Sequence, residues 1–265
     1  MTIRVGIGGW TFPPWRGTFY PDGWPQKREL DYALRHVTAI EINSTYYSRQ
    51  KPESFAAWAK AAPEGFQFAV KASRFCTTRK VLAEGAEGMA RFIEQGIVEL
   101  GDKLGPILWQ FMATKQFDPD DFGAFLAMLP AAHAGVALRH TVHVRHESFA
   151  VPAFVEMARA AGVAVVFADS ATYPAIADVT GDFVYARLEN AEEAHPAGYD
   201  RPALDRWAQA ATLWQAGGAP EGLPYADPAP PPVRPRDVFV FFINGAKVRA
   251  PHGAMALLDR LARKG

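Results

Sequence analysis

Eight short apolar segments alternate with segments of helical periodicity, and this alternation limits the folds open to the chain. The apolar segments are nearly continuous runs of β-branched, aromatic and small residues, as expected for strands that are buried on both faces. They cover 3–9, 38–43, 66–71, 105–111, 141–145, 163–169, 182–188 and 238–244. Strands that alternate with helices pair in parallel through right-handed crossovers. Eight such units in 265 residues predict a single-domain α/β protein with a TIM-like (β/α)8 barrel, and a doubly wound open sheet is the alternative.

Helical segments lie between most of these strands. They cover 28–36, 52–62, 83–100, 118–129, 152–161, 202–216 and 251–263, with only a short helical piece at 172–178. Gly162 is predicted to end the helix before it. The Pro-rich stretch 219–236 is predicted to be an extended, mobile surface insertion on the N-terminal face of the barrel, and a docking segment for a partner is the alternative.

Charge and cysteine content exclude several classes of protein. Lys and Arg together number 28, as do Asp and Glu, so the formal net charge is zero. This balance argues against a dedicated basic nucleic-acid binder. The single cysteine, Cys76, excludes an intramolecular disulfide and fits a reducing compartment. Since neither a signal pattern nor a long apolar run is present, we expect a soluble cytoplasmic protein without a membrane partner.

Seven consecutive predicted strands end in a polar or charged side chain, and barrels of this kind carry their sites at the C-terminal strand ends. The catalytic candidates are Glu41, Lys71 and Asp169, because carboxylates can divide acid and base roles and a lysine can act as base, electrostatic stabiliser or Schiff-base amine. The predicted substrate-binding residues are Trp10, Asn43, Tyr47, Gln110, Arg145, Arg187, Asn244 and Lys247. The alternative is a buried network that only ties the strand ends together, with Glu41 paired to Lys71 and Asp169 paired to Arg187.

The loop after the last predicted strand has features of an anion site. It contains Gly245, Lys247 and Arg249 and leads into a helix at Pro251. A glycine-containing loop, a helix N-terminus and nearby basic side chains attract an anion. We therefore predict that Arg187, Lys247 and Arg249 clamp an anion, and the alternative is that the two loop cations are solvated.

No cofactor and no metal site is predicted. The chain has no Walker loop and no paired-histidine metalloprotease motif. His140, His143 and His146 are spaced by three residues, which places neighbours roughly 10 Å apart on alternating faces of a strand, so they cannot all bind one ion. A metal site built from Glu41, His143 and Asp169 is the geometric alternative.

Motifs in a fixed order span nearly the whole chain: Gly9-Trp10, Trp15-x-Gly17-x-Phe19-Tyr20-Pro21, Glu41-Ile42-Asn43-Ser44-Thr45-x-Tyr47, Phe68-x-x-Lys71-x-x-Arg74, Leu104-Gly105-x-x-x-x-Gln110, Arg145-His146-x-Ser148-Phe149 and Tyr185-x-Arg187-Leu188. Together they resemble the YecE-like family, also called domain of unknown function 72. The resemblance implies a TIM-like barrel, a likeness in fold to barrel endonucleases that use a metal cluster, and no established activity. The chain departs from the family pattern at His143, Thr77-Thr78 and Glu189-Asn190, which puts a shared metal or acid–base residue at those positions in doubt.

These observations favour a metal-independent enzyme of hydrolase, lyase or isomerase type. Its substrate is predicted to be a small anionic compound, phosphorylated or sugar-like, that binds at the C-terminal mouth of the barrel. Two alternatives stay open: an endonuclease-like barrel that acts on nucleic acid or nucleotides with a metal, and a non-catalytic protein that binds a small molecule. The near-zero net charge weighs against a nucleic-acid partner.

Overall fold

The computed structural model describes residues 1–263 and contains a closed barrel of eight parallel strands. The strands are β1 (Ile3–Gly8), β2 (Ala39–Ile42), β3 (Gln67–Lys71), β4 (Leu104–Gln110), β5 (His140–His143), β6 (Ala164–Asp169), β7 (Phe183–Leu188) and β8 (Asp237–Phe242). Each strand pairs with its neighbours in the sequence, and β1 pairs with β8 to close the barrel. The prediction of a single-domain (β/α)8 barrel is therefore confirmed.

The helices surround the barrel; those in the seven longer predicted segments begin near the predicted positions, and the short helices after β2 and β3 were not predicted. They are α1 (Glu29–Ala33), α2 (Ser44–Tyr47), α3 (Pro52–Ala61), α4 (Arg74–Thr77), α5 (Ala86–Ile93), α6 (Pro119–Ala127), α7 (Pro152–Ala160), α8 (Arg201–Gln215) and α9 (Ala250–Ala262). Asp118 and Asp200 cap α6 and α8, because each carboxylate accepts backbone N–H groups of the first helical turn. Gly162 follows α7 with a φ of +65° and ends it as predicted.

The prediction of one continuous helix over 83–100 is wrong. The segment is divided into a 3-10 turn at Leu82–Gly85, the helix α5, and a second 3-10 segment at Ile97–Lys103. Gly96 lies between the last two with a φ of +109°, and a Cβ there would lie 2.7 Å from the Pro52 Cα. The apolar spacing continues through this position, but the backbone turns because α3 packs directly against it.

The predicted helical piece at 172–178 is absent, and the Pro-rich stretch packs against the segment in its place. The Asp178 carboxylate accepts the backbone N–H groups of Ala226 (2.7 Å) and Asp227 (3.1 Å). Asp227 also forms an ion pair of 2.7 Å with Arg159 of α7. The stretch has no helix or strand before β8, and these contacts attach its centre to the body of the barrel; its mobility stays a prediction.

The interior of the barrel is filled by large aromatic side chains from two adjacent strands and by small side chains from the others. The interior residues are Ala39, Ala69, Leu108, Ala164, Val166, Phe183, Tyr185, Phe239, Phe241 and Ile243. At the N-terminal end, the Arg139 guanidinium lies 4.4 Å from the ring of Phe183 and donates to Asp237. The barrel is therefore packed along its length, and the C-terminal end is where polar side chains meet.

Gly6 allows β1 to approach β2, and its replacement should destabilise the barrel. A Cβ at Gly6 would lie 2.2 Å from the carbonyl oxygen of Ala39 and 2.9 Å from the Phe241 ring. We expect Gly6→Ala to lower the free energy of unfolding by about 3 kcal/mol or more, since backbone must move to accept the methyl group. Urea denaturation measures this change.

Gly123→Ala is the matched control for that substitution. Gly123 lies inside α6, and a Cβ there would meet only the flexible end of Met157, at 3.9 Å. This variant should be neutral or more stable by up to about 1 kcal/mol, because alanine favours the helix. Equal effects of the two variants would show that the close approach of β1 to β2 does not limit stability.

Candidate functional site

The alternation of side chains along each strand decides which strand-end residues meet inside the barrel. Inward positions include Ala39 on β2, Ala69 on β3 and Tyr185 on β7. Counting by two from each places Glu41, Lys71 and Arg187 on the inward face at the C-terminal end. Gln110 and His143 end β4 and β5 beside them. These five predicted or considered residues are all buried.

The centre of this group is a buried ion pair between Arg187 and Glu41. The Glu41 side chain accepts from Arg187 Nε and Nη2, both at 3.2 Å, in a two-pronged arrangement. The Tyr185 hydroxyl donates to the same carboxylate at 2.7 Å. Glu189 accepts from Arg187 Nη1 at 2.7 Å. Arg187 and Glu41 are 1% and 0% exposed, so this arginine carries its charge in the barrel because two carboxylates surround it.

Ionisation in this network follows from burial and from the neighbouring charges. Burial opposes the ionisation of Glu41, but the charges of Arg187 and Lys71 outweigh it and hold the pKa of the carboxyl below its usual value. Burial, reinforced by Glu41, raises the pKa of the Tyr185 phenol well above its usual value. The phenol therefore stays protonated and serves as a hydrogen-bond donor.

His143 is a neutral imidazole with a defined tautomer. Burial, together with the charge of Arg187, lowers the pKa of His143 well below its usual value. Its Nδ1 lies 3.0 Å from Arg187 Nη1, and a guanidinium only donates, so Nδ1 accepts and Nε2 carries the proton. Within residues 1–263 this Nε2 has no hydrogen-bond partner. Gln110 also accepts from Arg187 Nη1, at 3.3 Å.

Lys71 is a buried amine without a direct carboxylate partner. Its Nζ lies 4.4 Å from the centre of the Tyr46 ring, and no carboxylate of the described chain is within 4.0 Å of it. Burial, reinforced by the charge of Arg187, lowers the pKa of Lys71 to about 7. An amine with such a pKa is a competent general base near neutral pH.

Two further cations lie toward the rim of the mouth, and each faces an aromatic ring. The Arg145 guanidinium lies 4.2 Å from the Tyr173 ring centre. Lys247 Nζ lies 4.7 Å from the Phe12 ring centre, and burial lowers the pKa of this lysine. Both side chains are partly accessible to solvent.

Three of the predicted residues lie outside the inward-facing group. Asp169 ends β6 on the outward face, where it accepts from the Tyr199 hydroxyl (2.8 Å) and from Asn190 (2.9 Å). Asn244 is exposed beyond the end of β8. Arg249 donates to the Glu193 carbonyl at 3.2 Å, and Arg187 is engaged by carboxylates, so the anion clamp of Arg187, Lys247 and Arg249 stays a prediction.

The remaining predicted residues lie around the mouth in different environments. Asn43 donates to the Glu41 carbonyl at 3.2 Å. Trp10 is half-buried and packs edge-on against Trp58 at 5.2 Å. Tyr47 is 68% exposed. These residues shape the entrance rather than its floor.

Sequence reasoning did not single out Tyr185 or Tyr173 as site residues. Both follow from structure alone: Tyr185 is one inward step below Arg187, and Tyr173 comes from the β6–β7 loop. Glu189 was noted only as the residue after the Arg187–Leu188 pair, yet it lies one further inward step along the chain. Tyr185 and Glu189 each lie two residues from Arg187 along the chain, and this spacing is the sequence signal from which both could have been found.

The residues present do not fit a metal cluster. Among the residues that the structure describes, no group of three His, Cys, Asp or Glu side chains is arranged to hold a metal ion. The Glu41 carboxylate is occupied by Arg187 and Tyr185. The three histidines have separate environments: His140 contacts Trp109, His143 faces Arg187, and His146 contacts Ser148.

The profile of the family described as "Protein of unknown function DUF72" matches residues 4–265. The chain belongs to the DUF72 family. This agrees with the resemblance carried by the sequence motifs. A search of functionally curated proteins gave no match.

Solved structures of DUF72 proteins share the barrel. A DUF72 protein from Thermotoga maritima has 22% identity and a TM-score of 0.76 over 99% of this chain and 100% of its own. One from Enterococcus faecalis has 17% identity and a TM-score of 0.67 over 98% of both chains. The protein SacUVDE has 9% identity and a TM-score of 0.58 over 99% of both chains. At these identities the likeness shows the fold alone. Within the described part of this DUF72 chain, no helix has the length and apolar character needed to cross a bilayer.

Glu41→Gln should destabilise this DUF72 protein, because it leaves Arg187 with one carboxylate in place of two. We expect a loss of about 2 to 4 kcal/mol in the free energy of unfolding at pH 7. The folded-state pKa of Glu41 is lowered, so its contribution is present above the unfolded pKa and disappears as the pH falls through the folded pKa. The variant should therefore lose less stability on acidification than the wild type.

Urea titrations between neutral pH and pH 3 measure both effects. Glu64→Gln, at an exposed carboxylate, is the control and should follow the wild type throughout. A Glu41→Gln variant as stable as the wild type at pH 7 would contradict the view that the ion pair is the centre of the network.

Lys71→Met should remove a rise of stability in mild alkali. The pKa of Lys71 is about 7 in the folded chain and 10.5 in its ordinary state. In that window the unfolded chain holds a proton that the folded chain has released, so the free energy of unfolding of the wild type rises with pH. Between pH 7 and 9 the difference should reach about 2 to 3 kcal/mol. Lys60→Met, at an exposed lysine of α3, should keep the rise in stability. If the rise persisted in Lys71→Met, the Lys71 amine would not be its source and would be charged in the folded chain.

Proposed function

We propose that this DUF72 protein is an enzyme that transfers a proton on a small organic anion, phosphorylated or sugar-like, bound at the C-terminal mouth. The observation that supports this proposal most directly is Lys71, a buried amine with a pKa of about 7 beside an ion pair. Structural lysines normally stay charged at this pH, and a group poised near neutrality can accept and return a proton.

The charge around the mouth supports an anionic ligand. Three cationic side chains (Arg145, Arg187 and Lys247) and the Lys71 amine share the region with two buried carboxylates of the described residues, Glu41 and Glu189. Both carboxylates are engaged by Arg187. Arg145 and Lys247 have no ion pair within the described residues, so they are available to the ligand. The neutral His143, with Nε2 as donor, supplies a further hydrogen bond.

In the mechanism we propose, Arg145 and Lys247 hold the anionic group and orient the substrate over Lys71. The neutral amine removes a proton from the bound compound, and the resulting ammonium can return it at another atom. Glu41 stays ionised and fixes Arg187, which stabilises negative charge that develops on the substrate. The role assigned to Glu41 is therefore positioning and electrostatic, whereas Lys71 is the proposed catalytic base. A cytoplasmic location and an action without metal belong to the same proposal.

A thermal-shift screen against phosphorylated sugars, nucleotides and organic acids tests the proposal. A ligand at one hundred times its dissociation constant should stabilise the protein by about 2.7 kcal/mol. The stabilisation should weaken in Arg145→Ala and in Lys247→Ala, because each removes a cation from the rim. Arg35→Ala removes an exposed cation of the α1 region and should bind like the wild type.

Lys71→Met then separates catalysis from binding. It should bind the same compound and fail to turn it over, and the pH–rate profile of the wild type should rise through an apparent pKa near 7. Stabilisation by a compound that the wild type never converts would favour a binding protein over an enzyme. Stabilisation by divalent metals alone would favour the metal-dependent alternative on nucleic acid or nucleotides.

A further inference from the structure

A cavity lies beside the mouth, outside the ring of strands. It has a volume of about 410 Å³, and residues of its wall include Thr45, Arg49, Ser73, Phe75, Arg79 and Phe92. We call it the α2–α5 groove, because these residues belong to α2, α4, α5 and the adjoining loops. Its wall shares one hydrogen bond with the mouth: the Thr45 hydroxyl donates to the Lys71 carbonyl at 2.7 Å.

The groove carries an excess of positive charge. Arg91 is neutralised by Glu87 of the same helix, at 2.5 Å. Arg79 uses its Nε to donate to the Phe75 carbonyl at 3.1 Å, and its two terminal nitrogens have no partner within residues 1–263. Arg49 is exposed and has no side-chain hydrogen bond or ion pair in the same residues. Glu87 also lines the cavity but is paired with Arg91, so the guanidinium groups of Arg49 and Arg79 are in excess, an arrangement that suits a phosphate or carboxylate.

The groove also has a flat apolar wall. Phe75 is 58% exposed although α4 is otherwise packed against the barrel. The Arg74 guanidinium lies 5.3 Å from the ring centre of Phe75. Phe92 is 2% exposed and contributes the apolar floor. Gly88 of α5 also lines the groove, and a Cβ there would lie 3.6 Å from the Phe75 carbonyl oxygen.

The polar groups of the wall do not compete for a ligand. Thr45 donates to Lys71, and the Gln95 amide accepts from Gln50 N–H and donates to the Phe92 carbonyl. The hydrogen bonds of these side chains are made within the protein, so the side chains form a fixed part of the wall. The free interactions of the groove are therefore two guanidinium groups and one aromatic face.

From this geometry we propose that the α2–α5 groove binds an organic anion with a flat apolar ring, such as an aryl phosphate or aryl carboxylate. The anionic group is held by Arg49 and Arg79, and the ring lies against Phe75. This site is separate from the proposed reaction at Lys71 and does not depend on it. The β3–α4 loop would separate its ligand from the mouth.

Isothermal titration calorimetry with phenyl phosphate, inorganic phosphate and benzyl alcohol tests the proposal. Phenyl phosphate should bind more tightly than either of the others, because it alone offers both the charge and the ring. Arg49→Ala/Arg79→Ala should weaken its binding about tenfold or more. Phe75→Ala should bring the affinity for phenyl phosphate down to that for inorganic phosphate.

Two controls make the outcome decisive. Arg35→Ala/Arg201→Ala removes the same net charge from exposed positions of other elements and should leave binding unchanged; equal weakening in this control would overturn the proposal. Arg145→Ala alters the mouth and should also leave phenyl phosphate binding unchanged. If phenyl phosphate fails to bind the wild type, or if Arg145→Ala weakens it while Arg49→Ala/Arg79→Ala does not, the groove is not the site.

Discussion

The ion pair between Arg187 and Glu41 is the interaction on which the C-terminal half of the barrel depends. A fully buried guanidinium is costly unless carboxylates and hydrogen-bond acceptors replace its water. Glu41 and Glu189 supply the charges, and Gln110 and His143 supply neutral acceptors. Each of these side chains comes from the inward face of a strand or from its C-terminal extension. Satisfying one arginine thus requires β2, β4, β5 and β7 to keep their register.

The same ion pair sets the protonation of its neighbours. Burial lowers the pKa of His143 and of Lys71, and the fixed positive charge of Arg187 lowers both further. His143 therefore stays neutral, and the pKa of Lys71 is about 7. Tyr185 is affected in the other direction, because Glu41 and burial keep its phenol protonated. The network therefore does more than connect the strand ends through hydrogen bonds and ion pairs. It produces one group, Lys71, whose charge can change near neutral pH.

The sequence predicted the barrel well and the site only in part, for one physical reason. Strands of a barrel are apolar on both faces, so the alternation that separates inside from outside is hidden. Glu41 and Asp169 both end apolar strands, yet Glu41 faces Arg187 and Asp169 faces Tyr199. The alternative of a buried network paired Glu41 with Lys71 and Asp169 with Arg187, whereas in the structure these carboxylates accept hydrogen bonds from Arg187 and Tyr199. The break at Gly96 was equally hidden, because the approach of Pro52 is a tertiary contact.

In the proposed mechanism, the electrostatics of the mouth would also couple the binding of an anion to a proton. Lys71 is brought near neutrality by burial and by the positive charge of Arg187, without a carboxylate in direct contact. An anion bound beside it would oppose that positive charge and raise the pKa of the amine, so binding at neutral pH would take up a proton. The coupling is reciprocal: protonation of Lys71 would tighten the hold on the anion, and loss of the proton would loosen it. In the proposed reaction the ammonium form of Lys71 would hold the more negative intermediate most tightly, and the hold would weaken once the proton has been returned to the product.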